Sequence, residues 1–321
     1  MHDKFVILLI GAGQIGSRHL QGLVASTSDV EVTVLDPSSE SLETAKSRWI
    51  EAGGDQSSHQ VRWLGSLPPH LQRFDVVLIL TSSKDRADLI DKIAKAFHVR
   101  HWVLEKVLTQ SSEELRAIQS ALAGCEGAWV NTPRRMMSWH QSLKDVFANL
   151  GPLEVSYSAG LWGLACNSIH FIDLVTWWSG EAPLSVDTSG LDHQWHESKR
   201  AGYFEITGEL VVHFSGGTSL RLNSKEDAKA LPIQVALRDG VIWEVDELAG
   251  TACSSSGEQL DGRIEFQSQM SGRLVDNILQ KGKCDLPSLD ESSSMHKIFL
   301  DAMLAHWNLS QNRNDDRVPI T

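Results

Sequence analysis

The chain contains little cysteine, and its cysteines are far apart. Cys125, Cys166, Cys253 and Cys284 are the only four in 321 residues, and no two of them form a C-x-x-C pair. This spacing argues against a disulfide framework and a structural zinc site, and it is typical of reduced thiols. We therefore expect a cytoplasmic protein without a metal site.

Positive charge and long apolar runs are also scarce. The 29 Lys and Arg residues are outnumbered by 41 Asp and Glu residues, which gives a formal net charge of -12. Such a balance argues against binding to nucleic acids or anionic membranes. The first apolar run leads into glycines rather than a small-residue cleavage site, and no segment is long enough to span a bilayer. We expect neither nucleic acid nor a membrane as a partner.

Near its start the sequence has an apolar run that ends in three spaced glycines. Residues 5–10 are followed by Gly11-Ala-Gly13-Gln-Ile-Gly16, which has the spacing G-x-G-x-x-G. Gly11 permits a tight strand-to-helix turn, and Gly13 lacks the Cβ that would keep a pyrophosphate away from the backbone. Gly16 lets the helix approach the strand closely. Three glycines alone can also form an ordinary tight turn.

Further residues favour a dinucleotide site over an ordinary turn. Gln14 and Ile15 lie at the expected helix start, where free N–H groups and the helix dipole suit a diphosphate. Asp36 ends a second apolar run, and its carboxylate can accept hydrogen bonds from a ribose diol while repelling a 2′-phosphate. No Lys or Arg follows Asp36 before Lys46. The sequence therefore predicts NAD in preference to NADP.

Strand and helix patterns then alternate. Residues 61–64, 75–80 and 102–104 have extended patterns, and residues 84–97 and 112–123 have helical spacing. This alternation predicts a doubly wound parallel sheet over residues 1–124, with its ligand crevice at the carboxyl ends of the strands. The residues at those ends that we expect to bind the cofactor are Thr81, Ser82 and Glu105.

Beyond residue 125 the pattern changes to alternating apolar and polar residues. It occurs in residues 153–158, 204–214, 219–222 and 241–245, and it predicts antiparallel strands with one packed face. The chain ends in a predicted helix that opens with a capping box, Ser288-x-x-Glu291. We expect an α/β protein with a dinucleotide-binding domain over residues 1–124 and an α+β domain over residues 125–321.

Together, these motifs resemble the Gfo/Idh/MocA family of oxidoreductases. The resemblance rests on the glycine turn, Asp36, the Glu105-Lys106 pair, the helical segment Ile169-His-Phe-Ile-Asp173 and the capped terminal helix. It implies a Rossmann domain and a second domain with a mostly antiparallel open sheet, which often serves oligomerisation in a homodimer or homotetramer. It also implies reversible oxidation of a sugar or cyclitol hydroxyl by a nicotinamide cofactor.

The match to the family's Glu-Lys-Pro motif is incomplete. This chain reads Glu105-Lys106-Val107, so Lys106 corresponds to the family's lysine while the proline is missing. Arg86 stands where many members have a histidine in the loop after the fourth strand. The resemblance implies that Lys106 is catalytic, whereas a lysine after a buried strand can also be a solvated strand end.

The match to the family is also partial in the helical segment around His170. His170 corresponds to the family's histidine, and Asp173 to an acid often found three residues later. Cys166 stands where members often have an aspartate, and the neighbouring Asn167 cannot act as a base. A polar stripe of Cys166, His170, Asp173 and Trp177 on one face of an apolar helix favours a site, although a buried histidine can also be an ordinary core residue.

The chemistry gives two of these residues a role. Hydride loss from a carbinol carbon requires the hydroxyl proton to leave, so a dehydrogenase without metal needs a base and a donor for the developing alkoxide. Histidine titrates near neutral pH, whereas lysine needs desolvation or a nearby cation to do so. We assign His170 as the proton acceptor and Lys106 as the donor, and the exchange of these roles stays open.

Other residues are candidates for substrate binding. Arg134 and Arg135 follow the first strand predicted for the second domain, and their guanidinium groups suit carboxylates or phosphates. Trp162 precedes the helix that carries His170 and can stack on a sugar ring. Solvated strand ends and core packing are the alternatives. The full predicted set is Asn131, Arg135, Trp162, Cys166, Asn167 and Asp173.

These features predict an NAD-dependent dehydrogenase of a sugar, sugar acid or polyol. Two alternatives stay open. One is a regulatory protein that senses a dinucleotide or sugar without turnover, as the altered Glu-Lys-Val motif and the missing aspartate suggest. The other is a nicotinamide enzyme that reduces an imine or a linear tetrapyrrole.

Overall fold

A computed structural model describes residues 4–67, 73–148 and 150–321. The chain divides into two compact units. The first comprises Met1–Leu108, Leu115–Pro133 and Glu265–Asp290. The second comprises Thr109–Glu114, Arg134–Ile264 and Glu291–Thr321. The helices in the described residues are α1 Gln14–Leu23, α2 Ser39–Glu51, α3 Arg86–Ala96, α4 Ser112–Leu122, α5 Ser138–Phe147, α6 Leu164–Ser179, α7 Gln267–Lys281 and α8 Leu289–Gln311.

The first unit is built on a six-stranded parallel sheet. Its strands are β1 Phe5–Ile10, β2 Val30–Leu35, β3 Gln60–Leu64, β4 Arg73–Ile79, β5 His98–Glu105 and β6 Gly127–Asn131. They lie in the order β3-β2-β1-β4-β5-β6, so the order reverses beside β1. Residues 7–10 of β1 are buried, as expected for a parallel strand covered on both faces. The carboxyl ends of β1 and β4 meet at this reversal, where such sheets bind ligands.

The first unit also includes a helix from late in the sequence. Helix α7 packs against α1, and small residues bring the two backbones close together. A Cβ on Gly22 would lie 2.8 Å from the carbonyl oxygen of Ser268, and one on Gly272 would lie 2.9 Å from that of Gly22. These glycines therefore set the distance between α1 and α7.

The second unit is built on an eight-stranded sheet. Its strands are β7 Glu154–Ala159, β8 Pro183–Leu191, β11 Gly208–Phe214, β12 Ser219–Ser224, β13 Ile233–Ala236, β14 Ile242–Asp246, β15 Thr251–Ser254 and β16 Gln259–Asp261, while β9 His196–Glu197 pairs with β10 Phe204–Glu205. Every neighbouring pair in the large sheet is antiparallel except β7 with β12. The predicted fold class is confirmed: a parallel doubly wound sheet and a second domain with a mostly antiparallel sheet.

Aromatic side chains form the core between this sheet and its helices. Phe147 of α5 packs edge-on against Trp178 of α6 and Trp243 of β14, with ring centroids 5.0 Å and 6.0 Å apart. All three side chains are buried. Large buried rings supply much of the apolar area that stabilises a domain of this size.

Two features differ from the sequence prediction. We expected the first domain to end after residue 124. Strand β6 comes after that residue, yet it pairs with β5 and belongs to the first sheet. The strand expected over residues 204–214 is two strands, because the backbone turns at Gly208, where φ is +102°. A Cβ there would lie 2.5 Å from the carbonyl oxygen of Gly190, so glycine is required.

Three further observations concern the described part of the chain. None of its helices combines the length and apolarity needed to cross a membrane. No group of three or more His, Cys, Asp or Glu residues in those residues is arranged to hold a metal ion. The four cysteines are free thiols.

Candidate active site

The glycine turn has the geometry that its spacing predicts. Gly11 has φ of +96°, a conformation that residues with a Cβ rarely adopt. A Cβ on Gly16 would lie 1.7 Å from the carbonyl oxygen of Gly11, so only glycine lets α1 begin this close to β1. A Cβ on Gly13 would meet nothing within 4 Å. The chain itself therefore does not require glycine at position 13, whereas an approaching phosphate would.

The start of α1 fits an anionic group. The helix begins at Gln14, followed by Ile15. The preceding residue is Gly13, which has no side chain to cap the first N–H groups of the helix. The first turn of α1 contains no acidic residue. The first N–H groups of a helix lack intrahelical partners, and with the helix dipole they form a site for phosphate. The residues present therefore fit the diphosphate of a dinucleotide.

Asp36 is fixed beside this turn. Its Oδ2 accepts a hydrogen bond from the backbone N–H of Ala12 at 2.7 Å, and its Oδ1 accepts one from Ser38 at 2.8 Å. Each carboxylate oxygen can accept a second hydrogen bond, so capacity for a ribose diol remains.

The sequence analysis missed Arg48 of α2, whose Nη2 donates to Oε1 of Gln14 at 2.8 Å. Arg48 thus orients the first side chain of α1.

Thr81 and Ser82 follow β4 at the same edge of the sheet. Leu80 donates its N–H to the carbonyl oxygen of Ile10 at 2.8 Å, which holds the end of β4 against the end of β1. A Cβ on Gly11 would lie 2.9 Å from the carbonyl carbon of Leu80. The half-buried Thr81 and Ser82 are therefore close to the glycine turn.

Glu105 lies within a buried polar network that the sequence analysis missed. Asn131 of β6, the neighbour of Glu105 in register, donates from Nδ2 to Oε1 of Glu105 at 2.5 Å. Nε2 of His19, a fully buried residue of α1, lies 3.6 Å from the same oxygen. Asn131 also donates to Oε1 of Gln267 in α7 at 3.0 Å. Glu105 and Asn131, predicted as cofactor and substrate ligands, thus contact each other within the first unit.

This network keeps Glu105 ionised. Burial raises the pKa of Glu105, but the neighbouring His19, the hydrogen bond from Asn131 and the charge of Lys106 together lower it below its ordinary value. The side chain is 8% exposed. A fixed negative charge therefore precedes Lys106, which is half-buried at the end of β5. The possible sequence signal was His19 itself, a polar residue on the buried face of α1 beside Leu20 and Leu23.

In the second unit, α6 presents the predicted polar stripe. Cys166, Asn167 and His170 are half-buried, while the apolar residues around them are packed into the core. The helix starts after Gly163, where φ is +77°. The carboxylate of Glu205 in β10 accepts the N–H of Ala165 at 2.8 Å, a favourable contact at a helix N-terminus. The start of α6 is therefore fixed one to two turns before His170.

Arg135 and Asp173, both predicted to bind substrate, bind each other. Arg135 donates from Nε to Oδ2 of Asp173 at 3.0 Å and from Nη2 to Oδ1 at 2.7 Å. Its Nη1 lies 2.8 Å from Oε1 of Glu291 in α8. The Arg135 and Asp173 side chains are 6% and 1% exposed. This pair therefore anchors α6 one turn after His170 and carries no net charge itself.

Trp162 is anchored at the other end of α6. Its Nε1 donates to the carbonyl oxygen of Asn223 at 2.9 Å, and its ring packs edge-on against Tyr157 and Phe171 with centroids 5.3 Å from each. Asn167 donates from Nδ2 to the carbonyl oxygen of Trp162 at 2.8 Å. The half-buried ring is thus held in one orientation beside the polar stripe.

Comparison with known proteins identifies the first unit. Residues 5–128 match the model of the GFO_IDH_MocA family, described as an oxidoreductase family with an NAD-binding Rossmann fold. The first unit is therefore similar to the NAD-binding domain of the Gfo/Idh/MocA oxidoreductases. The family resemblance inferred from the motifs is confirmed. No curated protein sequence matches the chain.

Solved structures of related fold include several dehydrogenases. UDP-N-acetylglucosamine 3-dehydrogenase GnnA from Acidithiobacillus ferrooxidans is 17% identical over 96% of this chain and 100% of its own, with a TM-score of 0.70. A putative myo-inositol dehydrogenase from Sinorhizobium meliloti 1021 is 17% identical, covers 99% of this chain and 100% of its own, and has a TM-score of 0.65. An oxidoreductase from Agrobacterium radiobacter, solved with NAD+, L-tartaric acid and magnesium, is 14% identical over 92% and 94%, with a TM-score of 0.66. At these identities the likeness shows a shared fold.

The second unit also holds an ion cluster that the sequence analysis missed. Arg134 donates from Nε and Nη2 to the two carboxylate oxygens of Glu247, each at 2.7 Å, and Nε2 of His140 lies 2.9 Å from Oε1. Burial raises the pKa of Glu247, but the charge and hydrogen bonds of Arg134, together with those of His140, outweigh burial and hold the pKa far below its ordinary value. The Arg134 guanidinium also lies 4.8 Å from the ring centroid of Phe171, the residue after His170. Arg134 and Glu247 are over a hundred residues apart in the sequence, so no local pattern predicts their pairing.

Breaking this cluster should destabilise the second unit. Glu247→Gln leaves the Arg134 charge uncompensated, and we expect a loss of about 2–3 kcal/mol in the free energy of unfolding. This is less than for a fully buried pair, because the two side chains are 18% and 21% exposed. The exposed Glu244→Gln on β14 is the matched control and should change stability little. Equal stability of the two variants in denaturant unfolding would contradict the assigned role.

The same pair should make stability depend on pH. Because the pKa of Glu247 is depressed in the folded chain, its stabilisation is present above the ordinary carboxyl pKa of 4.5 and is lost as pH falls below it. The parent protein should therefore lose more unfolding free energy than Glu247→Gln as the pH is lowered from neutral into this acid range. Parallel losses in both proteins would show that Glu247 contributes nothing to acid sensitivity.

Proposed function

We propose that this oxidoreductase transfers a hydride between NAD and a hydroxyl or keto carbon of a sugar, sugar acid or polyol. The observation that carries the proposal is the Asp36 carboxylate, fixed by the N–H groups of Ala12 and Ser38 beside the glycine turn. A carboxylate in this place suits a free ribose diol. The dehydrogenases of related fold, including those named for UDP-N-acetylglucosamine and myo-inositol, support a hydroxyl-bearing substrate.

The first unit supplies the residues that would hold NAD. The diphosphate would lie against Gly13 and the N–H groups that start α1, and the adenosine ribose against Asp36. When bound, the nicotinamide supplies the site that accepts or donates the hydride. The remaining proposed cofactor residues lie along the carboxyl edge of the sheet: Gly11, Gln14, Ile15, Gly16, Thr81, Ser82 and Glu105.

Two residues would handle the proton. We assign Lys106 as the donor that steadies the developing alkoxide and His170 as the acceptor of the hydroxyl proton. The ionised Glu105 directly precedes Lys106 and balances its charge. Because position 166 is a cysteine, His170 would act without the carboxylate that many family members have there.

The paired arginines favour a neutral substrate over an acidic one. Arg135 is engaged by Asp173 and Glu291, and Arg134 by Glu247. Neither of them therefore offers an uncompensated charge to a carboxylate. The half-buried groups of α6 and the ring of Trp162 suit hydroxyl groups and the apolar face of a sugar ring. Among the predicted substrate classes, we favour a neutral sugar or polyol.

The proposal is tested by fluorescence titration with NADH and NADPH, followed by turnover assays. The substrate panel should contain neutral sugars, cyclitols, their uronic acids and representative imines. Turnover of a neutral sugar or cyclitol with NAD is the expected result. Tight NADH binding without turnover of any compound would support the sensor, and turnover of imines alone would support the third alternative.

Cofactor preference should depend on Asp36. The double variant Asp36→Ser/Pro37→Arg removes the group that binds the diol and adds one that binds a 2′-phosphate. We expect the ratio of NADPH to NADH affinity to rise about 10-fold or more. Asp55→Ser, in an exposed turn of the same unit, is the control and should leave the ratio unchanged. Equal or tighter binding of NADPH by the parent would contradict the assignment.

The cytoplasmic location and the homodimer or homotetramer remain predictions. Light scattering coupled to size-exclusion chromatography tests the subunit count directly. A monomeric mass at micromolar concentration would contradict the prediction of a homodimer or homotetramer.

A further inference from the structure

Arg86 is a buried cation whose hydrogen bonds converge on one turn. It is the first residue of α3 and is 1% exposed. Its Nη1 donates to the carbonyl oxygens of Glu105 at 2.6 Å, Leu108 at 3.0 Å and Val107, and its Nη2 donates to that of Thr81. One guanidinium therefore joins the loop after β4 to the turn after β5.

These acceptors surround Lys106 in the sequence. Glu105 precedes it, and Val107 and Leu108 follow it, so the backbone is held on both sides of the lysine. A guanidinium presents five N–H donors in a rigid plane and cannot lose its proton in a protein. Burying such a charge is costly unless it is hydrogen-bonded, and here backbone carbonyl oxygens accept hydrogen bonds from both terminal nitrogens of Arg86. The placement of Arg86 thus determines the path of the Lys106 backbone.

The side chain of Glu105 is held by contacts that do not involve Arg86. The side chain of Glu105 is held independently by Asn131 at 2.5 Å and approached by His19 at 3.6 Å. Loss of Arg86 therefore leaves the end of β5 in place and releases the segment that follows it. The released residues would be Lys106 to Leu108 and the loop at Thr81.

We propose that Arg86 is a positioning residue that aims Lys106 at the reacting hydroxyl. The proposal rests on the proposed function, because it assigns Arg86 an effect that acts through Lys106. A displacement of about 1 Å in a group that acts in the transition state can cost 10²-fold in rate. All four acceptors named above are backbone carbonyl groups, so the proposed effect of Arg86 on turnover is indirect.

A double-mutant cycle tests this role. Arg86→Met and Arg86→Lys are made in the parent and in a Lys106→Ala background, and kcat, KM and NADH affinity are measured. Arg86→Met should lower kcat about 10- to 100-fold with NADH affinity changed only a few-fold. Arg86→Lys should recover part of the loss. In the Lys106→Ala background the same Arg86→Met change should cost little more, because the two residues act as a unit.

Arg100→Met is the matched control for general destabilisation. Arg100 lies at the other end of β5, paired with Glu126 and Asp75, so its loss disturbs the same strand without touching the turn. It should leave kcat within a few-fold of the parent. Additive losses for Arg86 and Lys106, or an equal loss for Arg100→Met, would overturn the proposal. If Arg86→Met does not fold, the cycle with Arg86→Lys decides between these outcomes.

A readout without turnover separates this proposal from the proposed function. The rate at which an amine-acylating reagent modifies Lys106 is measured by mass spectrometry in the parent and in Arg86→Lys. A several-fold change at Lys106, with the exposed Lys46 and Lys92 of the same unit unchanged, supports positioning even if no substrate is turned over. Identical modification rates at Lys106 would overturn the proposal, whatever the activity assays show.

Discussion

Lys106→Ala should lower turnover by about 10²-fold or more while NADH affinity stays nearly intact. The physical reason is that the ammonium group would stabilise negative charge that develops only as the hydroxyl proton leaves. Such an interaction lowers the barrier without contributing equally to ground-state binding. The loss should therefore appear in kcat and in kcat/KM, and NADH fluorescence titration measures the affinity separately.

Lys84→Ala is the control for this prediction. Lys84 is exposed in the loop after β4, so its removal also takes one positive charge from the same unit. It should leave kcat near the parent value. If Lys106→Ala and Lys84→Ala turn over equally, Lys106 is a solvated strand end and the proposed donor must be another group.

His170→Asn should cost about 10²- to 10⁴-fold in rate and should change the pH profile. As the proton acceptor, the imidazole must be neutral for alcohol oxidation, so the parent's oxidation rate should fall as lower pH protonates the ring. Reduction of the ketone should need the protonated ring and show the opposite dependence. Asparagine cannot exchange a proton in this range, so both profiles should become flat over it.

His213→Asn is the matched control, because His213 is exposed on β11 and belongs to the same unit as His170. It should alter neither rate nor profile. A loss of rate in His170→Asn with the parent's pH dependence retained would transfer the proton role to Lys106. Unchanged activity would leave His170 as an ordinary helix residue.

Local patterns predicted much of the first unit. The spacing of Gly11, Gly13 and Gly16 after an apolar strand encodes a turn whose geometry depends on residues within the turn itself. Gly11 has the positive φ that only glycine adopts readily, and Gly16 has no room for a Cβ. Asp36 is local to its own strand end, so its place beside the turn follows from the order of strands in a doubly wound sheet.

Long-range pairing limited the rest of the fold prediction. The sequence pattern changes near residue 125, just before β6, which suggested a new domain. In the structure β6 instead pairs with β5, with Glu105 opposite Asn131, and completes the first sheet. Helix α7 joins the same unit from residues 267–281 because small residues let it approach α1. Neither the pairing of β6 with β5 nor the packing of α7 against α1 can be predicted from the local sequence of β6 or α7.

The same limit applies to the candidate site. Residue type marked Arg135 and Asp173 as possible ligands, but their mutual ion pair depends on two segments folding together. Likewise, His19 and Arg86 become relevant only because α1 and α3 bring them to the end of β5. Sequence reasoning can nominate polar residues, whereas the structure decides which of them neutralise each other.

The most direct test of the central claim follows the hydride itself. The protein is incubated with NAD and a mixture of neutral sugars and cyclitols carrying deuterium on their carbinol carbons, and the recovered nicotinamide is examined by mass spectrometry. We predict deuterium on the reduced nicotinamide ring with the parent protein and a rate at least about 10²-fold lower with Lys106→Ala. Bound NAD that acquires no deuterium from any of these compounds would contradict the claim that this chain is a sugar or polyol dehydrogenase.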